Sequence, residues 1–250
     1  MTIILLVNRS LLPRAVEGLL DLHLRTMPVV VLSGARQTGK STLARKLEGS
    51  GRRYVTLDDY DALDLAQSRP DLLAGGGEPL TIDEVQRAPG LLREIKRQVD
   101  ADRRPGRFLL TGSADLLLMK AVSESLAGRA SYLNLRPLGA AEQQGKGRVG
   151  EWHRFFNETP ASWVDTLPRD SVAIDWRDAA LRGGFPDPAL HLPTETERRI
   201  WFDGYVRTYL ERDLQSLAGI GNLSDFRRLM RACALNVGGL VNQSAIARSL

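Results

Sequence analysis

The sequence predicts an α/β protein in which helices cover both faces of a parallel sheet. Short apolar segments, the strand candidates, alternate with segments of helical periodicity along residues 27–140. The strand candidates are apolar throughout, as expected where both faces of a strand are buried. The predicted strands are the apolar run that starts at Val29 and residues 53–57, 79–82, 107–111 and 130–135. The predicted helices are residues 11–25, 41–48, 60–74, 90–100 and 115–127.

The composition is typical of a globular chain with one or two domains. Its 250 residues are 43% hydrophobic and 26% charged, enough for a sizeable core. The longest apolar run near the start, residues 3–7, is too short for a membrane span, so no membrane association is expected. A single cysteine excludes an internal disulfide framework and fits a cytoplasmic protein. The net charge of +4 comes without a dense basic block, so charge alone does not indicate a nucleic-acid partner.

A phosphate-binding loop is predicted between the first strand and the helix that follows it. The segment GARQTGKS, residues 34–41, matches G-x-x-x-x-G-K-[ST]. Its glycines allow backbone N–H groups to turn towards a polyphosphate. Lys40 is expected to neutralise the terminal phosphates, and Ser41 to complete the Mg²⁺ shell. The predicted nucleotide-binding residues are Gly34, Ala35, Arg36, Gln37, Thr38, Gly39, Lys40, Ser41 and Thr42.

Paired carboxylates at the end of the third predicted strand favour hydrolysis. In LTIDE, residues 80–84, Asp83 is expected to bind Mg²⁺, and Glu84 to orient or deprotonate a water molecule. Asp58 and Asp59 form a rival acidic site of the kind that small-molecule kinases use, although a helix cap explains them equally well. No N-K-x-D motif for guanine occurs, which favours ATP over GTP.

Two further residues are candidates for the hydrolysis step. Thr111 ends the fourth predicted strand, where a polar side chain can sense the γ-phosphate, and Ser113 is the second choice. Their alternative role is local, a turn through Gly112 with Ser113 capping the next helix. Arg129 is a candidate arginine finger, which would stabilise charge on the transferred phosphoryl group. The alternative for Arg129 is a solvent-exposed side chain without a catalytic role.

Together, these motifs resemble those of bacterial and archaeal AAA-type ATPases whose nucleotide domain precedes a domain of unknown function, the DUF4143 proteins. The resemblance covers most of the chain and rests on residues 33–43, 80–92, 108–113, 125–138, 183–190 and 205–214. It implies a P-loop NTPase sheet with the loop strand between the fifth strand and the sensor strand, ATP and Mg²⁺ as ligands, and a smaller, mainly helical, winged-helix-like domain. Residues 238–250 look like the opening of that winged helix, with Asn242 or Ser244 as a cap. The chain is accordingly expected to be a fragment or a shortened member.

We therefore expect an ATPase domain over residues 1–145 and a linker with a helical region over residues 146–250. The predicted function is Mg²⁺-dependent ATP hydrolysis coupled to a conformational change of the C-terminal domain. A nucleotide-gated module that binds DNA or a protein is the alternative, and a small-molecule kinase is a third class. DNA and a second copy of the chain are the candidate partners. Arg129 would act either within its own subunit or across an interface.

Overall fold

A parallel sheet forms the centre of the first part of the chain. The computed structural model describes residues 11–48, 51–112, 122, 125–147, 159, 175–210 and 222–248. Within these residues the strands are β1 (Val29–Ser33), β2 (Arg53–Thr56), β3 (Leu80–Asp83), β4 (Phe108–Thr111) and β5 (Ala130–Asn134). All pairings are parallel, and the strand order is β2-β3-β4-β1-β5. The predicted position of the loop strand, between β5 and the sensor strand β4, is confirmed.

The strand register brings the predicted site residues to one edge of the sheet. Ile82 of β3 lies beside Leu110 of β4, and Leu32 of β1 lies beside Thr111 of β4. Because the strands run in the same direction, Asp83 and Thr111 end at the same edge as the phosphate loop. The strand order brings Asp83, Thr111 and the phosphate loop close together, since β4 lies between β3 and β1.

Helices follow most of the strands, and the helix predicted over residues 11–25 begins later than predicted, at Glu17. Those described in the first part of the chain are α1 (Glu17–Thr26), α2 (Lys40–Lys46), α3 (Tyr60–Ser68), α4 (Pro70–Ala74), α5 (Leu91–Ala101), α6 (Ala140–Gln143), α7 (Trp176–Arg182) and α8 (Pro186–Leu190). The prediction of one helix over residues 60–74 is wrong, because Arg69, with φ −138°, interrupts it before Pro70. A proline disfavours the helical conformation of the residue before it. Ser113 and most of the predicted helix over residues 115–127 lie outside the described residues.

Apolar layers cover both faces of the sheet. On one face, α3, α4 and α5 pack against β1, β3 and β4 through a cluster that includes Val31, Ile82, Leu110, Leu73, Leu91 and Ile95. On the other face, α1 and α2 pack against β1, β4 and β5 through a cluster that includes Leu20, Leu43, Val30, Leu32, Leu109 and Leu133. Adjacent residues of β1 thus face opposite layers, which explains its unbroken apolar sequence. The predicted α/β class is confirmed.

The chain divides into two compact units, Met1–Glu195 and Thr196–Leu250. Residues near 183 belong to the first unit and bond to residues that follow β5. Leu138 N–H donates to the Gly184 oxygen at 2.6 Å, and the Gln143 side-chain amide donates to the Gly183 oxygen at 3.1 Å. The linker predicted at about residues 145–176 lies mostly outside the described residues.

The second unit is helical where it is described. It contains most of α9 (Glu195–Tyr205), a π-helical turn (Val206–Leu210), α10 (Leu223–Leu235) and α11 (Gln243–Arg248). Asn242 caps α11, since its side-chain oxygen accepts the Ala245 N–H at 2.9 Å, as predicted for one of the two candidate caps. A bilayer crossing needs roughly 20 consecutive apolar residues, and none of the described helices meets that requirement.

Candidate functional site

The phosphate loop connects β1 to α2 and depends on its two glycines. A Cβ on Gly34 would lie 2.4 Å from the backbone oxygen of Leu135, so only glycine allows β1 and the segment after β5 to approach this closely. Gly39 has φ +92°, a conformation that residues with a Cβ rarely adopt. The pattern in the sequence therefore corresponds to a real geometric requirement at both glycines.

The Lys40 ammonium lies on the loop and is almost fully buried, with 5% of the residue exposed. Its Nζ donates to the backbone oxygens of Gly34 at 3.0 Å and Ala35 at 2.8 Å. Burial lowers the pKa of Lys40, and the negative charges of Glu84 and Asp83 oppose this shift in part. The amine thus lies within electrostatic reach of both predicted acids, and the fold brings these parts of the site together.

The other predicted loop residues lie around Lys40. Arg36 is half-buried, and its charge contributes to the lowered pKa of Lys40. Thr38 is fully buried and donates its hydroxyl to the Ala35 oxygen at 2.9 Å, which tightens the loop. Ser41 and Thr42 lie in the first turn of α2, where backbone N–H groups have no partner inside the helix.

Asp83 is buried at the end of β3, and side chains from both neighbouring strands orient it. Tyr54 of β2 donates its hydroxyl to Asp83 Oδ2 at 2.6 Å, and Thr111 of β4 donates its hydroxyl to Oδ1. Burial and the bond to Asp83 raise the pKa of Tyr54 to about 12, although the nearby Arg45 lowers it in part. Tyr54 therefore remains a donor at neutral pH. In this structure Thr111 orients Asp83, a role that the sequence did not indicate.

Glu84 follows Asp83 in a left-handed backbone conformation, with φ +58° and ψ +40°. This region costs a residue with a Cβ about 1–2 kcal/mol. The half-buried carboxylate accepts a hydrogen bond from the Gln86 side-chain amide. Residues in strained backbone conformations of this kind cluster at functional sites.

The rival acids have structural roles. Asp59 caps α3 by accepting the Ala62 N–H at 2.9 Å, and Asp58 forms an exposed ion pair with Arg87 at 2.5 Å. These contacts favour the helix-cap alternative over a substrate-binding role.

Arg129 does not join this site within its own chain. It directly precedes β5 and forms an ion pair with Asp100 at the end of α5. The phosphate loop lies beyond the other end of the strands, about 15 Å away at roughly 3.3 Å per residue. Of the two alternatives, the position of Arg129 at the opposite edge of the sheet disfavours a finger role within the same subunit.

The sequence reasoning missed three residues near the site: Tyr54, Arg14 and Glu142. Tyr54 lies in a predicted strand, but the sequence did not indicate that this strand is the neighbour of the acidic strand β3. Arg14 and Glu142 are 128 positions apart in sequence, yet Arg14 Nε donates to Glu142 Oε1 at 3.0 Å. No local pattern indicates such a pair.

A cavity of about 660 Å³ lies beside the loop and α2. Half of its lining residues are polar or charged, and most of the others are leucines. Its lining comprises Leu11, Leu12, Arg14, Glu17, Gln37, Gly39, Thr42, Leu43, Lys46, Leu138, Pro186, Asp187, Leu190 and His191.

The fold and the site define a class of protein. A parallel sheet of this strand order, a phosphate loop at the carboxyl end of β1 and a buried aspartate at the end of β3 are the features of a P-loop NTPase. Residues 26–143 match the family model of the AAA domain, AAA_14. Residues 173–250 match a domain of unknown function, DUF8612, which is a different domain from the predicted DUF4143.

The sequence is similar to two mycobacterial proteins, both uncharacterized: Mb2031c of Mycobacterium bovis and Rv2008c of Mycobacterium tuberculosis. Each is 35% identical over 229 residues, which is 91% of this chain and 45% of the relative. The chain therefore spans less than half the length of these relatives.

Two solved structures are similar at low sequence identity. The Walker-type ATPase PABY2304 of Pyrococcus abyssi has 14% identity and a TM-score of 0.48, covering 96% of this chain and 92% of that protein. AMPPCP-bound DnaA from Aquifex aeolicus has 12% identity and a TM-score of 0.40, covering 93% of this chain and 74% of that protein. At these values, the interpretation of the site depends on the geometry of the chain itself.

Proposed function

We propose that the first unit binds MgATP and hydrolyses it with water as the nucleophile. The observation that carries this proposal is the buried Lys40 ammonium on the phosphate loop, at the same edge of the sheet where β3 ends in Asp83. One cation and two carboxylates beside a phosphate loop are the charges that phosphoryl transfer to water requires. The AAA domain match over residues 26–143 supports the same function.

In this proposal the triphosphate lies in the loop, with its charge met by backbone N–H groups and by Lys40. The ammonium now donates to the Gly34 and Ala35 oxygens. We infer that phosphate oxygens take over these bonds, which are stronger when the acceptor is charged. Ser41 and Thr42, in the first turn of α2, are the expected donors to the remaining phosphate oxygens.

The residues present fit a magnesium ion. The Ser41 hydroxyl and the Asp83 carboxylate are oxygen ligands, which Mg²⁺ prefers. Among the described residues, no group of three or more His, Cys, Asp or Glu side chains could hold a metal. Mg²⁺ in nucleotide sites does not need such a group, because phosphates and water complete its shell. When bound, it would neutralise charge that develops between the β and γ phosphates.

Hydrolysis would use Glu84 to orient and deprotonate the attacking water. Thr111 now donates to Asp83. We infer that Thr111 first fixes the Asp83 carboxylate and that its hydroxyl turns to the γ-phosphate only when nucleotide is bound. This assignment keeps the predicted sensor role and adds an orienting role.

The adenosine part of ATP would occupy the cavity beside α2. Its volume of about 660 Å³ is in the range of nucleoside-sized pockets. Leu43 and Leu138 offer apolar surface to a purine, and the chain lacks the guanine-reading motif. ATP is therefore the proposed nucleotide.

We further propose that nucleotide binding is coupled to the C-terminal region. Pro186, Asp187, Leu190 and His191 line the same cavity and belong to the segment around α8. This segment leads along the chain into α9 of the second unit. A nucleotide that contacts α8 would bias the conformation of the residues that follow.

The test compares binding with turnover in three variants. Lys40→Ala should weaken ATP binding at least about 100-fold, since it removes a buried charge that pairs with phosphate. Glu84→Gln should bind ATP like wild type and hydrolyse it about 100-fold more slowly or worse. Asp58→Asn is the matched control, because it removes a neighbouring exposed acid and should change neither property. Normal hydrolysis by Glu84→Gln would refute the water-activating role.

A second candidate function is a nucleotide-gated module that binds DNA, with turnover incidental. Arg227, Arg228 and Arg231 are exposed on α10, and helix α11 follows it. Exposed arginines on one helix can contact phosphates of a duplex. Affinity for duplex DNA, measured with and without ATP across a salt series, separates the two functions. Absence of affinity in the full protein would remove this candidate.

A further inference from the structure

The guanidinium of Arg14 connects the phosphate loop to two other parts of the first unit. Its Nη1 donates to the Thr38 oxygen in the loop at 2.9 Å, and its Nη2 donates to the Arg136 oxygen after β5 at 2.7 Å. Its Nε donates to the Glu142 carboxylate at 3.0 Å. A Cβ on Gly39 would lie 3.5 Å from Nη1, so the guanidinium also packs against the second loop glycine. Arg14 is 8% exposed, and the motif does not include it.

Glu142 holds this arginine in place. Its Oε1 also accepts the Ala15 N–H at 2.7 Å, and its Oε2 accepts the Gly139 N–H at 2.7 Å. Burial raises the pKa of Glu142, but these bonds and Arg14 outweigh burial and lower it overall. Glu142 is therefore ionised at neutral pH. The Arg14 charge is therefore neutralised locally by Glu142.

The bond to Thr38 fixes the direction of a loop amide. In a trans peptide, the C=O of one residue and the N–H of the next point in opposite directions. Because Arg14 holds the Thr38 oxygen, the N–H of Gly39 points away from Arg14. Gly39 lies between Thr38 and Lys40, where the proposed function puts phosphate.

We propose that Arg14 is a positioning residue of the phosphate loop, one that orients loop amides for phosphate without contacting it. The proposal rests on the proposed function, since it assumes that the loop binds a polyphosphate. Arginine suits this role because its planar fork donates in several fixed directions at once. A lysine would keep the charge but could not hold three separate acceptors in the same geometry.

The test uses the full chain without nucleotide first. In Arg14→Lys, peptide-resolved hydrogen–deuterium exchange should become faster over residues 34–42 and stay unchanged over residues 80–83. The matched control is Arg52→Lys, because Arg52 is also 8% exposed and holds two backbone oxygens, those of Leu80 and Gly106, at the opposite edge of the sheet. That variant should leave exchange over residues 34–42 unchanged.

Affinity for ATP and for ADP, measured by calorimetry, provides the second readout. Arg14→Lys should weaken both by about tenfold, because nucleotide binding would then have to order the loop amides that Arg14 holds in place in the wild type. Arg52→Lys should bind both like wild type. Wild-type exchange over residues 34–42 together with wild-type affinity in Arg14→Lys would overturn the proposal, as would equal effects in the two variants.

Two further results, a variant that does not fold and a wild-type chain that binds no ATP, have separate consequences. If Arg14→Lys does not fold, Glu142→Gln decides, because it keeps Arg14 but removes its counter-charge. Faster exchange over residues 34–42 in that variant supports the proposal, and unchanged exchange overturns it. A wild-type chain that binds no ATP refutes the proposed function, while the exchange comparison still decides whether Arg14 fixes the loop.

Discussion

At the scale of single residues, Glu84 and Asp83 are constrained in different ways. Glu84 has a left-handed backbone that a side chain disfavours, with φ +58°. Asp83 is held by hydroxyl donors from the strands on both sides, Tyr54 and Thr111. The adjacent acids are thus fixed by backbone conformation in one case and by side-chain hydrogen bonds in the other.

The strain at Glu84 predicts an unusual order of stability. Glu84→Gly should be more stable than Glu84→Ala by about 1–2 kcal/mol, because glycine adopts the left-handed region without steric cost. Both variants lack the carboxylate, so the comparison isolates the backbone effect. Urea denaturation measures it, and an alanine variant as stable as the glycine variant would contradict the inference of strain.

The raised pKa of Tyr54 predicts a dependence of stability on alkaline pH. Its pKa rises from 10.0 in the unfolded chain to about 12, so between these values the folded state holds the proton more tightly. The stabilising contribution of Tyr54 is therefore fully present below pH 10 and is lost as the pH approaches 12. The difference in free energy of unfolding between wild type and Tyr54→Phe should shrink as the pH rises from 9 to 11.

Urea denaturation at pH 9, 10 and 11 measures this difference. The control is Tyr60→Phe, which removes a phenol that is 83% exposed and should give a difference that does not change with pH. The same pH profile in both variants would contradict the role of Tyr54 at Asp83.

At the scale of elements, the segment around α8 joins the cavity wall through a close backbone contact. A Cβ on Gly184 would lie 2.5 Å from the Leu138 oxygen, and Leu138 N–H donates to the Gly184 oxygen. This contact holds the segment beside Leu138, which also lines the cavity. The packing of α8 thus depends on a glycine that lies outside every helix.

Gly184→Ala should therefore displace the segment around α8. We expect a loss of about 1–3 kcal/mol of stability, because backbone atoms must move. ATP should bind more weakly, whereas inorganic triphosphate, which lacks the adenosine, should bind as in wild type. Thermal unfolding and calorimetry measure the two effects.

The control for this variant is Gly18→Ala in α1. An added Cβ there meets nothing within 4 Å, so the same substitution should stabilise the protein by about 0.5–1 kcal/mol. Equal weakening of ATP and triphosphate in Gly184→Ala would contradict the assignment of the cavity to adenosine.

At the scale of the whole molecule, the position of Arg129 bears on whether a second chain completes the site. Arg129 lies at the edge of the sheet opposite to the loop and pairs with Asp100. It can therefore act on phosphate only from another copy of the chain. An arginine supplied in this way typically raises hydrolysis about 10³- to 10⁵-fold.

If Arg129 acts in this way, turnover per chain should rise with protein concentration. Arg129→Ala should remove that rise and leave ATP affinity in the dilute protein unchanged. Steady-state hydrolysis across a concentration series tests this, with Arg103→Ala as a control, because Arg103 is an exposed arginine at the same edge that donates to the Gly128 oxygen. A rate per chain that is independent of concentration would leave Arg129 with a structural role only.

The sequence by itself determined the sheet, the phosphate loop and the pair of acids. These features are encoded by residues close together in the chain: apolar periodicity for each strand, and two glycines with a lysine for the loop. The position of the loop strand between β5 and β4 followed from the resemblance. The helix predicted over residues 60–74 is interrupted at Arg69, because Pro70 disfavours the helical conformation of the residue before it.

Only the tertiary structure decided the partners of the site residues. Tyr54 reaches Asp83 across 29 positions, and Arg14 reaches Glu142 across 128, so neither pair leaves a local pattern. Arg129 lies far from the loop because it precedes β5, and the direction of β5 puts the start of this strand at the edge opposite to the loop. Motifs depend on residues that are close in sequence. These contacts depend on strand register and on which distant segments of the chain the fold brings side by side.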